Sequence, residues 1–530
     1  MKKVLLSINV SMGYSSSGIE HAQVMRCLAL KDSGLINKLV YTAYLPDQYQ
    51  LTEKAGINDR DVIRLYDLVL GFSNFTARKL TLNDLDLHGL HSGHWIGDQG
   101  EKKYIVNGVA RIAVDYNRGL IASLSLYAVD QRPILRDFYD ARGYKALTQF
   151  YNGKSQPIVS QYYKEDGTPG IVLQHHYDNR FGNANEVMRL YVDDWTVYDR
   201  NKQHHFNRRY DFERYLFMKL LNNFKDEQVS MILDRVHECQ EVLLDLKPAY
   251  PKVKMLLHLH NNHGSGNTEA ALKIPNNNYE YPLANINCFD ATIVATKHQK
   301  RDLLKLYPEA KVFVIPVGVV DPILQYQPLK KEAIGKVVVF SRLSVEKQLD
   351  QLAGIVAKAH AKDSRIRLAI YGYENPQYER LSLKRWDQAV SDNMETIRAE
   401  QAAGKEAFLQ RFDYLDDVEK KNEIERNSEF YVLTSIMEGF NIGMMEGIGN
   451  GLIALAYNIL YGPDELIDDG QNGFLFKEND TQAMVDKLVE LTRDQDKAEE
   501  LRKGAFIKSR QFSKENVSRL WVEMEGELFK

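Results

Sequence analysis

Apolar and polar positions follow two different rhythms along this chain. Val4-Leu5-Leu6-Ser7-Ile8 is a short, nearly continuous apolar run, the pattern of a parallel strand covered on both faces. A small-residue loop, Gly13-Tyr14-Ser15-Ser16-Ser17-Gly18, comes next. Ile19 to Leu30 then sets Ala22, Met25, Leu28 and Ala29 at helical spacing, and Lys38-Leu39-Val40-Tyr41 reads as a second strand. Strand, loop, helix and strand in that order open a doubly wound α/β domain.

The rhythm changes near residue 74. From there to about 206 helical periodicity is rare, and strand-like segments recur at 111–116, 123–127, 146–151, 158–163 and 171–174. Asn152-Gly153 and Asp166-Gly167 supply hairpin-turn chemistry between several of them. The span 74–206 is therefore expected to be an antiparallel β insertion.

Alternation of helices and strands returns after 210. Strands are predicted at Lys254–His260, Ala291–Thr296 and Lys311–Val317, and 318–335 reads as a linker. A second α/β pattern opens with a strand at Lys336–Ser341. It continues with a helix at Gln348–His360 and strands at Ile366–Tyr371, Ala407–Phe412 and Phe430–Thr434. Ser513-x-x-Asn516 then starts an amphipathic helix through Val517, Leu520 and Met524. The expected fold class is α/β: two doubly wound Rossmann-like domains facing a cleft, with an antiparallel β insertion in the N-terminal one. The domains are drawn as 1–73 with 207–325, the insertion 74–206, the second Rossmann-like domain 326–512, and a C-terminal helix 513–530 packing back on the first. Ligands of such sheets sit at the carboxyl ends of the strands.

Composition narrows the class without naming a function. A chain of 530 residues has room for several domain-sized units, 44% of it is apolar, and its net charge of −4 argues against a general polyanion binder. Cys27, Cys239 and Cys288 are far apart and form no CxxC pair, which fits a reducing, cytoplasmic compartment. MKKVLLSINV starts like a signal peptide, but Asn9, Ser11 and Gly13 end its apolar run early. No stretch approaches the roughly 18 apolar residues of a membrane span.

Four local features can carry chemistry. Thr434 to Glu446 reads as a strand end, a loop containing Gly439 and Gly443, and a helix from Ile442. Backbone N–H groups there can point at an anionic ligand, with Glu438 in the loop and Glu446 in the helix, although two glutamates eight apart also arise by chance. Ser341 to Gln348 follows a buried strand and brings Arg342 and Lys347, two cations suited to a diphosphate or simply to a solvated helix start. Ser17-Gly18 is either a backbone approach to phosphate or a plain βα turn; it is neither GxGxxG nor a P-loop. His258, His260 and His263 close a strand. They read as a zinc cluster, as structural histidines, or as a histidine that hydrogen-bonds substrate.

Taken together, these positions resemble GT-B glycosyltransferases of the family 4 type. Arg342-x4-Lys347, Glu438-x7-Glu446, Gly18 and His260 occur in that family's order, and Tyr461-Gly462-Pro463 with Glu465 to Leu475 is similar to its C-terminal signature. With the β insertion, the chain resembles bacterial enzymes that attach the first sugar to serine-rich-repeat adhesins, and the related wall-teichoic-acid α-GlcNAc transferase. One departure is Ser17-Gly18 where the family has Gly-Gly.

The resemblance implies a retaining transfer of GlcNAc or glucose from a UDP-sugar to Ser/Thr of a protein, with no metal cofactor. Arg342 and Lys347 would hold the diphosphate as leaving group, in place of a metal. Glu446 would bind the ribose hydroxyls and Glu438 would face the donor sugar. Backbone amides of Gly439, Phe440, Asn441 and Ile442 would surround sugar and phosphate. Ser17 and Gly18 would leave room for the diphosphate, His260 would meet the sugar near its reacting carbon, and the uracil would lie near Phe412, Tyr414 and Leu415. His263 competes with His260 for that contact. Alternatives are a teichoic-acid acceptor, a non-catalytic GT-B-like partner subunit, and a zinc hydrolase. The insertion is expected to recruit such a partner or to build a homo-oligomer, or else to be only its own small core. No nucleic acid is expected, and at most peripheral membrane contact.

Overall fold

The computed structural model describes residues 2–13, 17–72, 77–98, 100–177, 190–200, 202–235, 239–320, 326–374, 380–415 and 417–530. They fall into two compact units, Met1–Glu20 with Ile36–Met255 and His21–Leu35 with Leu256–Lys530.

In the first unit, β1 (Lys3–Asn9), β2 (Ile36–Tyr41) and β3 (Val62–Arg64) precede the insertion, whose strands run from β4 (His94–Gly97) to β13 (Lys202–Phe206). Chain then returns to the parallel sheet as β14 (Gln228–Leu233). β1 pairs in parallel with β14 on one side and β2 on the other, and β2 pairs with β3. Val4, Leu5, Leu6 and Ile8 are buried, as the continuous apolar run requires. Each such side chain contributes roughly 1.5–3 kcal/mol relative to exposure.

The insertion is one ten-stranded sheet whose strands neighbour one another in sequence order. The segments read from the sequence lie in the strands Val109–Asn117, Leu120–Tyr127, Tyr144–Tyr151, Pro157–Tyr163 and Pro169–Tyr177. The strand Pro133–Asp140 carries no readable alternation. Its Asp137 is buried and accepts from Thr148 and from His88, so a charged residue faces inward where the pattern rule expects an apolar one. The sheet has a core of its own around Tyr104, Ile112, Val114, Leu124 and Leu126. A buried charge cluster ties it to the parallel sheet: Arg142 donates to Asp140 at 2.9 Å and to Asp67, just past β3, at 2.8 Å. Tyr144 stacks on Phe72 at 3.9 Å beside it.

In the second unit, β15 (Lys254–Leu259), β16 (Ala291–Val294) and β17 (Val312–Val314) are parallel neighbours. A separate six-stranded sheet contains β18 (Lys336–Phe340), β19 (Arg367–Tyr371), β20 (Leu409–Phe412), β21 (Phe430–Leu433), β22 (Ile453–Tyr457) and β23 (Gly473–Phe476). Its order is β20-β19-β18-β21-β22-β23. The chain fills one side from β18 outward and then the other from β21 outward, so the strand order reverses between those two. Helices Leu349–Lys362 and Ile442–Gly449 cover it. Ser513 caps the C-terminal helix Lys514–Leu528 by accepting from Asn516 N–H, as the Ser-x-x-Asn spacing predicts. Trp521 of that helix is buried under the guanidinium of Arg26, 4.7 Å from its ring. Among the described residues no helix is long and apolar enough to cross a membrane. Part of the predicted linker, residues 321–325, lies outside the described residues.

Candidate active site

A doubly wound sheet opens a crevice where its strand order reverses, at the carboxyl ends of the two strands concerned. Here those strands are β18 and β21, and the loops they feed are the two that the sequence singles out. Three hydrogen bonds clip the loops together. Thr434 Oγ1 donates to the carbonyls of Lys347 at 2.9 Å and Gln348 at 3.1 Å, and Ile436 N–H donates to Glu346 O at 3.0 Å. Gln348 turns the chain in the left-handed region, at φ +47°.

The clip brings Lys347 Nζ to 2.6 Å from Glu438 Oε1, with only 12% and 7% of the two side chains exposed. Asn441 Nδ2 donates to the same Glu438 oxygen at 2.9 Å, and Asn441 Oδ1 accepts from Met444 N–H at 2.8 Å. Asn441 thus caps the helix Ile442–Gly449 while holding Glu438, from a left-handed φ of +77° that asparagine tolerates. The first-turn N–H groups of Ile442 and Gly443 have no acceptor within the helix. Arg342 is different: it is 45% exposed, and its ion pair with Glu346 is loose at 3.5 Å. One cation of the pair is therefore committed and the other open to solvent.

Close backbone packing sets the next neighbours. A Cβ on Gly439 would lie 2.3 Å from His260 O, and one on Gly462 2.5 Å from Phe440 O. The first contact presses the 438–442 loop onto the end of β15; the second presses the Tyr461-Gly462-Pro463 turn onto the same loop. Phe440 is buried and meets Phe512 edge-on, so its side chain belongs to the core and only its backbone faces the loop.

The histidines separate by burial. His260 is half-buried, and its N–H donates to Tyr279 Oη at 3.1 Å. His263 is 1% exposed, stacks on Tyr461 at 5.8 Å, and neither ring nitrogen has a hydrogen-bond partner. Burial pushes its pKa down to about 4. His258 lies ring to ring with His260 at 4.0 Å, with nitrogens of the two within 4.8 Å. Arg26 Nη2 sits 2.9 Å from His258 Nδ1, and a guanidinium there is electrostatically unfavourable to a divalent cation.

Glu446 faces two partners. Its Oε2 lies 2.5 Å from Lys421 Nζ and its Oε1 3.2 Å from His21 Nε2. Burial alone would raise its pKa; Lys421 and His21 outweigh that and hold it at about 2. Glu425, which shares Lys421, is pushed up to about 7 by burial. Beside them, the last residues of β18, β19 and β20 are in register, and their rings form a ladder. Phe340 stacks on Tyr371 at 4.8 Å and Tyr371 on Phe412 at 4.7 Å. Phe412 is 40% and Tyr414 41% exposed, with Leu415 half-buried after them, so the ladder ends on an open aromatic face.

In the first unit, Ser17 N–H donates to Glu20 Oε2 at 2.6 Å, and Arg235 Nη2 bonds Ser17 Oγ at 3.0 Å and Glu20 Oε1 at 2.9 Å. Gly18 begins the helix Gly18–Leu30, and a Cβ there would meet nothing within 4 Å. Among the described residues no contact requires glycine at that position. Tyr14, Ser15 and Ser16 of the predicted loop lie outside the described residues.

Comparison with known proteins places this arrangement. The family described as glycosyl transferases group 1 matches residues 324–507, the span that holds Arg342, Lys347, Glu438 and Glu446. The UDP-N-acetylglucosamine–peptide N-acetylglucosaminyltransferase GtfA subunit of Streptococcus gordonii is 25% identical over 98% of this chain and 98% of that protein. The crystal structure of the pneumococcal O-GlcNAc transferase GtfA in complex with UDP and GlcNAc superposes with a TM-score of 0.79 at 23% identity, covering 99% of both chains. The chain has the fold of these transferases, and its residues 324–507 match the glycosyl transferases group 1 family. A second kind of relative, the poly(ribitol-phosphate) alpha-N-acetylglucosaminyltransferase of Staphylococcus aureus, is 23% identical over 51% of this chain and 50% of that protein.

The glycosyltransferase site also contains residues that sequence reasoning passed over. Lys421 sits in Val418–Arg426, a helix rich in charge where one lysine among several gives no signal. Its spacing of four from Glu425 was the one readable hint. His21 and Thr434 as a clip depend on contacts across long stretches of chain, while Asn441 as a cap with a second partner is local, three residues from both Glu438 and Met444.

Proposed function

We propose that this UDP-sugar-dependent glycosyltransferase moves N-acetylglucosamine to serine or threonine hydroxyls of a protein acceptor, with retention of anomeric configuration and without a metal. The observation that carries the acceptor class is coverage. Sequence similarity to a transferase named for peptide acceptors runs along 98% of the chain, whereas sequence similarity to the poly(ribitol-phosphate) enzyme is found over 51%. Glucose is the other donor compatible with the site.

In this reading the uracil lies against the aromatic face ending at Phe412 and Tyr414, the ribose hydroxyls bond Glu446, and the diphosphate lies by Arg342 and Lys347. The bond from the sugar's anomeric carbon to the β-phosphate oxygen breaks, and its electron pair leaves with UDP. The acceptor hydroxyl oxygen bonds the same face of that carbon, and its proton passes to the departing phosphate oxygen. The held Lys347, the solvent-open Arg342 and the helix-start N–H groups offset the charge that develops on the leaving group. His260 stands beside the 438–442 loop as the sugar contact, since His263 is sealed against Tyr461. The donor and the cysteine usage fit a cytoplasmic reaction. The S. gordonii relative is named as a subunit, which supports a partner protein here too, with the insertion as its seat.

The test is UDP release from UDP-N-acetylglucosamine and UDP-glucose, with and without a Ser-rich peptide, beside Glu438→Ala. The reading requires release that prefers one donor, rises with peptide and fails in the variant. Transfer to poly(ribitol phosphate) but not to peptide would establish the teichoic-acid reading. No release from folded protein would point to a missing subunit or a non-catalytic partner.

A further inference from the structure

The buried carboxylate of Glu425, the half-buried one of Glu446 and one ammonium lie behind the reversal of strand order. Lys421 Nζ is 2.5 Å from Glu446 Oε2 and 3.4 Å from Glu425 Oε1, with 13% of its side chain exposed. Asn450 fixes the far carboxylate, donating from Nδ2 to Glu425 Oε2 at 2.6 Å. Asn450 is itself held: Arg426 Nε donates to its Oδ1 at 3.1 Å, and its N–H bonds Glu446 O at 3.0 Å. The helix that carries Glu446 and the helix that carries Lys421 are thus cross-linked at one asparagine. The Lys421 ammonium also lies over the ring of Phe340, 5.1 Å from its centroid, at the inner end of the aromatic ladder.

We infer that Lys421, backed by Glu425 and Asn450, is the positioning residue that fixes Glu446 for the ribose hydroxyls of the donor nucleotide. The inference rests on the reading of Glu446 as the ribose carboxylate. A carboxylate has about four acceptor positions, two on each oxygen. Lys421 takes one on Oε2 and His21 takes one on Oε1, which leaves one on each oxygen. That is the number a cis-diol fills. Lys421 does not need to touch the nucleotide. It turns the carboxylate, keeps it charged in a buried setting, and sets the rotamer from which both oxygens face the ligand. Without it, Glu446 and Glu425 would face each other with no cation between them, and each like charge would disfavour ionisation of the other.

The experiment is calorimetric binding of UDP and of 2′,3′-dideoxy-UDP to the full chain. Wild type should prefer UDP by at least about tenfold, the value of one hydrogen bond to a charged acceptor. Lys421→Gln should bring UDP down to the dideoxy level and leave dideoxy binding within about twofold, a pattern that general loss of structure does not produce. The pair Lys421→Gln with Glu425→Gln removes the carboxylate repulsion that could unfold the single variant, and should show the same loss. Glu446→Gln separates the two ideas. If it abolishes the preference while the folded Lys421 variants keep it, the positioning role is overturned and the ribose reading stands. If it keeps the preference, the ribose reading falls and takes the inference with it.

Discussion

Lys347 and Glu438 form a buried ion pair at 2.6 Å between the two loops that flank the reversal of strand order. The pair makes the charge state of this site partly self-neutralised, and a donor diphosphate must compete with Glu438 for the ammonium. If Lys347 holds the leaving diphosphate as proposed, Lys347→Ala removes a cation from it and strands Glu438. Turnover with UDP-N-acetylglucosamine should fall by about a hundredfold or more, the usual loss when one preorganised donor at a developing oxyanion is deleted. Steady-state kcat measures it, and turnover near wild type would remove Lys347 from the mechanism. Glu438→Gln, which keeps the contact with Asn441 possible, should fold normally.

Gly18 is a position where the needs of folding can be separated from the donor contact proposed for it. A Cβ there meets nothing within 4 Å, and alanine starts a helix at least as well as glycine. Gly18→Ala should therefore leave the melting temperature unchanged or slightly raised. If the diphosphate passes over this residue, KM for the UDP-sugar should still rise by about tenfold, an effect near 1.4 kcal/mol. An unchanged KM would place the diphosphate elsewhere.

His263 predicts a pH dependence of stability. Burial holds its pKa at about 4, below the ordinary value of 6.5. The unfolded chain then binds more protons than the folded one between those values, so stability falls as pH drops from about 6.5 to about 4. His263→Phe removes the titration and keeps a ring against Tyr461. Thermal melts across that window should show a smaller drop for the variant than for wild type. Parallel curves would assign the acid limb to other groups.

Arg142 ties the insertion to the first parallel sheet through Asp67 and Asp140. Arg142→Met leaves Asp140 buried without its cation and Asp67 with only Arg64, 3.9 Å away, a change that costs roughly 3–5 kcal/mol when one partner of a buried pair is lost. Chemical denaturation should show the first unit unfolding early, and a transition at the wild-type midpoint would contradict the anchoring role.

Deleting residues 80–200 tests what the insertion is for. The sheet has its own core but is anchored by Arg142 to Asp67 outside it; in deleted protein that circular dichroism shows to be folded, oligomeric mass or transfer to protein acceptors should change. Native mass and acceptor transfer that both match the full chain would reduce it to a structural appendage.

Much of the fold was legible before the structure. Parallel strands buried on both faces announce themselves as apolar runs, and Asn152-Gly153 and Asp166-Gly167 mark hairpins. The Pro133–Asp140 strand was not legible, because its inward Asp137 is satisfied by His88 and Thr148 from other segments. Within the site, Arg342, Lys347 and Glu438 were visible as residue types after strand ends, and Glu446 in the helix that follows. Lys421 and His21 were not, since neither sits in a motif and each is defined by a partner far away in the chain.

The sequence by itself determined which strands form, which loops follow them, and which charged side chains those loops carry, because strand and helix periodicity and turn chemistry act over a few residues. Tertiary structure decided the pairings. Lys347 meets Glu438 across 91 positions because β18 and β21 are neighbours in the sheet. His260, not His263, borders the 438–442 loop because Gly439 allows backbone to approach backbone there. Glu446 keeps its charge while buried because a helix from another part of the chain delivers Lys421 to it, and no local pattern encodes a contact of that range.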